Sequence, residues 1–212
     1  AFFGTTAYAA VHTLHANAYI GTAELRLIEL TPRTDEGDAL VELLVTLLSA
    51  ILPASFVLSP AVGWLIDKRG VVQTLCVLQV LAVVSAALMF VPSAWAQVAT
   101  FVVFSLYRAV LYSVLIALFV EHFGWSAWGR CFGFACLAFA VFNLLSYALV
   151  YVTLEYFDGK FLFANCVLAA LIVATTPYIY LVHRGHRASR ERARRVLTAS
   201  NSALPSDKGG RQ

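Results

Sequence analysis

The sequence predicts an all-α integral membrane protein, a bundle of six spans, and three observations predict it. Of 212 residues, 60% are hydrophobic and 13% charged, against about 25% charged in a soluble domain. The apolar residues gather into runs of about 20, the length that crosses a hydrocarbon core about 30 Å thick. Those runs lack period-two alternation and are about twice the length of membrane-barrel strands.

The first run covers 2–20, and the second, 40–66, is long enough to tilt or to extend beyond the lipid bilayer. The third covers 71–91, the fourth 97–120, the fifth 131–154 and the sixth 161–182. Short connections make consecutive spans antiparallel neighbours. Glu42, Thr46, Ser49 and Pro53 make a polar stripe on the second span, which Pro53 and Pro60 are expected to bend. Asn143 and Tyr147 share a face of the fifth span and Asn165 stands in the sixth, where amides tie helices together; Asn143 is also a candidate for substrate contact or gating.

Charge sets the expected orientation. Lys68 and Arg69 follow the second span, Arg130 the fourth, and a basic run from Arg184 to Arg195 the sixth. Basic loops mark the cytoplasmic side, so both ends of the segment are expected there, with the acidic stretch from Glu24 to Asp38 outside. Trp95, Tyr156 and Phe157 suit one interfacial belt, and Trp125 and Trp128 the other. The plasma membrane is the expected location. The chain begins at Ala1 inside an apolar run, with no charged leader, so upstream protein is expected. The tail over 184–212 is basic, then rich in Ser and Gly, and is expected to be disordered or to lie on the inner leaflet. It follows a span and has no interleaved aromatics, which argues against nucleic acid.

Three groups of residues are candidates for function. In "GWLIDKRG", Asp67, Lys68, Arg69 and Gly70 form a very short turn between the second and third spans, with Gly63 on the helix four residues ahead of Asp67. Gly63 would let another helix approach closely, Asp67 would sit at the positive end of a helix, and Gly70 permits a tight reversal. Arg108 lies near the middle of the fourth span, roughly 16 Å from either edge. An arginine there costs about 2.5 to 3.5 kcal/mol on insertion scales, so it should face protein or a water-filled cavity and have a partner. Ser105 and Tyr112 share its face at helical spacing. Tyr8, His12, His15 and Tyr19 recur at spacings of four, three and four, one side of the first span. They would contact a solute, carry a proton, or pack as neutral hydrogen-bonded groups. Two histidines with no third ligand do not make a metal site. Cys76, Cys131, Cys136 and Cys166 form no C-x-x-C pair, so free thiols are expected.

Gly63, Leu65, Asp67, Lys68 and Gly70 resemble the signature loop G-x-L-x-D-R-x-G-R-[RK] of the major facilitator superfamily. Val71 and Val72 depart from it, as in the weaker second copy that joins helices eight and nine. The resemblance implies a carboxyl-terminal half, helices seven to twelve, with an amino-terminal six-helix half as missing partner. "FVVFSLYRAVLYS", "EHFGWSAWGRCFGF" and "NLLSYAL" are similar to the large-neutral-amino-acid facilitator branch at Arg108, Tyr112, Ser113, Phe123, Gly124, Gly129, Leu144 and Leu145. That implies alternating-access transport of a small organic solute, an amino acid, with the first span lining the central cavity. No cofactor or metal is implied. A receptor or assembly subunit with a transporter-like body would keep most of these residues. A membrane enzyme would need convergent acid, base or metal groups, and the ionisable residues here are scattered.

Overall fold

A backbone in hydrocarbon must satisfy its polar groups within its own segment, so apolar runs of this length become helices. The computed structural model describes residues 2–185, and it is helical almost throughout, with no strand among the described residues. The elements are α1 (Phe2–Leu30), α2 (Asp35–Ala54), a 3-10 segment (Ser55–Leu58), α3 (Ser59–Arg69), α4 (Val71–Leu88), α5 (Ala96–Tyr156) and α6 (Leu162–Ala174). After a turn at Thr175 the helix of α6 resumes over 176–185. The basic tail predicted over 184–212 lies outside the described residues, apart from Arg184 and Gly185.

Four helices among the described residues are long and apolar enough to cross a membrane: Asp35–Arg69, Val71–Leu88, Ala96–Tyr156 and Leu162–Gly185. They fit an integral membrane protein. α1 is long enough at 29 residues, but its threonines, histidines, Asn17 and charged far end dilute its hydropathy. The bundle compensates by surrounding it, for 14 of those residues are buried.

Several boundaries differ from the sequence reading, each for a local reason. α1 continues ten residues past Ile20, because Ala23, Leu25 and Leu27 favour helix and Arg26 pairs with Glu29 at 2.6 Å one turn on. It stops at Leu30, just ahead of Pro32. α2 starts at Asp35, five residues early, because Thr34 caps it: its hydroxyl accepts from the Gly37 amide at 3.1 Å. Asp35, Glu36 and Asp38 in the first turn suit the positive helix end. Thr34→Ala is expected to cost about 0.5 to 2 kcal/mol, read as a lower thermal midpoint of the purified protein; an unchanged midpoint would rule out a stabilising cap. Between Pro53 and Pro60, where a bend was expected, the α-helix tightens into the 3-10 segment.

The largest difference is α5. A loop was expected over 121–130, yet helix continues on both sides of one residue, Gly124, at φ 69° and ψ 164°. Phe119 and Phe132 lie with ring centroids 5.3 Å apart, where a straight helix would separate them by about 20 Å. α5 is therefore a hairpin with legs over 96–123 and 125–156. A single residue also suffices at Gly70, φ 82°, between α3 and α4.

The ends of the rods identify the topology. At one end Arg26 of α1 donates to the Met89 carbonyl at 3.3 Å, Asn165 of α6 donates to the same carbonyl at 3.3 Å, and Glu29 accepts from the Phe161 amide at 3.2 Å. At the other end Phe2 meets Phe123, and Gly4 lies against the Tyr178 ring. Successive rods thus run antiparallel. The main core joins Ala9 and Ala16 of α1, Leu75, Leu78 and Ala82 of α4, and Phe101, Phe104, Leu111 and Leu115 of the first α5 leg, all essentially inaccessible. The small residues of α1 let neighbours approach closely, so packing contacts rather than water exclusion hold the helices together in lipid. Leu14 and Ala18 form a second cluster with Leu149 and Leu168, which docks the second leg and α6.

Candidate functional site

The predicted polar side of α1 is not a cavity lining. Tyr8, His12 and His15 are each at most 2% exposed, and Tyr19 is 5% exposed. They face the bundle interior, because the first leg of α5 and the end of α6 offer aromatic and hydroxyl partners there. Tyr107 donates to the His12 carbonyl at 2.9 Å and lies 3.1 Å from His12 Nδ1. Thr175 Oγ1 lies 3.4 Å from His12 Nε2. From α4, Gln79 donates to the Ile172 carbonyl at 2.8 Å and to Thr176 at 3.2 Å, and accepts from Thr175 at 3.2 Å. Both ring nitrogens of His15 and the hydroxyls of Tyr8 and Tyr19 are buried without a partner among the described residues.

The residues predicted around Arg108 separate. Ser105 is buried and Tyr112 exposed, with Arg108 between them and half-buried. The guanidinium carbon stands 5.7 Å from the centre of the Tyr112 ring, a cation–π contact. No carboxylate pairs with it among the described residues. The turn expected over 67–70 shrinks to Gly70: Asp67, Lys68 and Arg69 are exposed in the last turn of α3, where the helix runs on until glycine reverses it, and a side chain at Gly63 would meet nothing within 4 Å. The close helix approach expected at Gly63 is therefore absent from this bundle. Asp67 makes no hydrogen bond among the described residues, and the amino end of α4 is capped by no side chain. Glu42, Thr46 and Ser49 are exposed along α2. The four cysteines are free thiols.

A different place brings polar groups to an open surface at mid-depth. α1 and the second leg of α5 run side by side, leaving a groove of about 520 Å³ lined by Asn17, Gly21, Thr22, Asn143, Ser146, Tyr147 and Tyr151, among others. Asn17 lies about 20 Å from either end of α1. Its amide donates to Asn143 Oδ1 at 3.0 Å, and Asn143 donates to the Phe139 carbonyl at 2.7 Å. Tyr147 is 76% and Tyr151 62% exposed. No charged residue lines the groove. Asn143 is the one predicted site residue found here. Asn17 went unnoticed because the histidine spacing of α1 drew attention to another face, although Asn17, Gly21, Glu24 and Ile28 recur at helical spacing along the exposed side.

These features define an all-helical protein whose apolar helices fit a membrane, with a hydrogen-bonding groove at mid-depth. Comparison with protein-family models, curated proteins and solved structures finds no match to the chain.

Proposed function

We propose that the chain carries a small organic solute, an amino acid, across a membrane by alternating access, as the carboxyl-terminal six-helix half of a major-facilitator-type transporter. The groove between α1 and the second leg of α5 is the observation that carries this reading. Exposed amides and phenols at the centre of an apolar bundle are costly against lipid, so they belong to an aqueous path or a facing protein surface. Transporter sites lie at that depth, between two bundles. The turn at Gly63 to Gly70 supports the same reading through its resemblance to the signature loop, and Arg108 supplies a cation for a carboxylate.

The test is uptake by the full-length protein in liposomes. Asn143→Leu is expected to lower amino-acid uptake several-fold while the thermal midpoint holds; parallel loss of both would make the amide pair a structural tie. Arg108→Ala is expected to reduce uptake of an amino acid more than of its methyl ester, because the ester has no carboxylate to lose. Equal loss of both substrates with a lower midpoint would assign Arg108 to helix packing, and no uptake by the unaltered protein would end the transport reading.

A further inference from the structure

We infer that a small cavity lined by Tyr19 and Arg26, at the Met89 end of the bundle, is a site for one internal water molecule. The Tyr19 hydroxyl and Arg26 Nε are both buried with no partner among the described residues, and Tyr19 is only 5% exposed. The two residues stand two turns apart on one face of α1. Both line the same cavity, together with Thr22, Met89, Gln97 and Asn165. The centre of a water-sized sphere can range over about 10 Å³ inside it, enough for a water and too little for an organic solute. A buried O–H or N–H left without a bond is costly, so two such groups beside one water-sized space point to a shared partner.

The lining offers donors and acceptors together. Tyr19 brings one O–H and Arg26 one Nε–H, both uncommitted. Arg26 gives one Nη1 hydrogen to Glu29 and one Nη2 hydrogen to the Met89 carbonyl, and keeps one on each nitrogen. Gln97 donates one N–H to the Val91 carbonyl and Asn165 one to the Met89 carbonyl, so each amide keeps a second. On the acceptor side stand the hydroxyl oxygens of Tyr19 and Thr22 and the amide oxygens of Gln97 and Asn165. The Thr22 hydrogen is committed to the Ala18 carbonyl at 2.7 Å, and the Met89 carbonyl already accepts from both Arg26 and Asn165. A cation would be repelled by Arg26. An anion would meet four oxygens, beside an arginine whose charge is already paired with Glu29 at 2.6 Å. Water donates twice and accepts twice, so it alone suits the mixed wall. Because Gln97 belongs to the first leg of α5 and Asn165 to α6, that water joins three elements.

The experiment is radiolytic footprinting of the full chain in lipid nanodiscs, in which X-ray pulses turn water beside a side chain into hydroxyl radicals that oxidise it. Tyr107 is the control, a fully buried tyrosine whose hydroxyl is engaged by His12. Tyr19 is expected to be oxidised several-fold faster than Tyr107, and equal rates would overturn the inference. Thermal midpoints give a second reading, because its sign differs between a wet cavity and a dry one. With the water in place, Tyr19→Phe loses a hydrogen bond and is expected to melt about 2 to 4 °C lower. In a dry cavity the same change removes an unpaired hydroxyl, so a midpoint that holds or rises would overturn the inference. Should the phenylalanine variant not fold, footprinting of the unaltered chain decides. Replacing chloride by gluconate at constant ionic strength is expected to leave the midpoint where it is; a fall would assign the cavity to an anion instead.

Discussion

Gly124→Ala is expected to give little folded protein, and what folds should melt well below the unaltered chain. A backbone at φ 69° and ψ 164° belongs to a region that is essentially glycine's alone. Holding a side chain there costs about 1 to 3 kcal/mol, and the cheaper course for the chain is to continue the helix through the position. A straight α5 would carry the second leg away from α1, breaking the Asn17 to Asn143 bond and the cluster of Leu14, Ala18, Leu149 and Leu168. Gly129→Ala and Gly133→Ala are the controls. Both positions are helical with open space around the added carbon, so alanine there should be neutral or stabilising by up to about 1 kcal/mol. Membrane yield and thermal midpoint separate the cases. A wild-type midpoint in Gly124→Ala would mean that the reversal does not depend on this backbone geometry.

Gln79→Leu is expected to destabilise the protein by about 1 to 3 kcal/mol, although leucine is the more apolar residue and is nearly the same size. The cause lies in α6. Pro177 has no N–H to give the Val173 carbonyl, so the helix loosens into a turn at Thr175, whose N–H and hydroxyl fold back onto the Ile172 carbonyl. Gln79 reaches across from α4 and bonds to the Ile172 carbonyl, Thr176 and Thr175 together. Leucine would remove all three bonds at a site only 7% exposed; the Ile172 carbonyl keeps the Thr175 N–H and hydroxyl as donors, so the cost falls mainly on the Thr176 hydroxyl, and a polar group left unpaired costs about 1 to 3 kcal/mol. Gln79→Glu keeps the acceptor and loses the amide donors, so when ionised it should also destabilise. If Gln79→Leu melts with the unaltered protein, the break in α6 is satisfied without α4.

The apolar runs were legible in the sequence because hydropathy integrates over twenty residues and tolerates local error. Their ends were not. The extension of α1 past Ile20 depends on Arg26 and Glu29, charged residues that read as loop until their pairing is seen. The hairpin in α5 turns on one glycine among ten residues that look like a connection, and composition cannot tell a ten-residue loop from helix broken at one point. At the candidate site, periodicity identified a polar side of α1 but not the direction it faces. Tyr8, His12 and His15 recur as a cavity lining would, yet they are buried in the bundle, where His12 meets Tyr107 and Thr175, residues 95 and 163 positions removed from it. Asn143 was legible as an amide in a span, whereas Asn17 took its meaning only from the helix beside it.

The placement of α1 has a consequence for biosynthesis. Asn17 leaves the ribosome 126 residues before Asn143, an interval of about 6 to 25 s at ordinary translation rates of 5 to 20 residues per second. His12 waits longer for Thr175. Through that interval the amide and imidazole groups of α1 lack their eventual partners. Hydrocarbon would charge several kcal/mol for each such group, so the nascent α1 has to stay beside water or within the insertion machinery until the later helices arrive. Among the described helices, α1 is made ahead of every partner that its polar groups require.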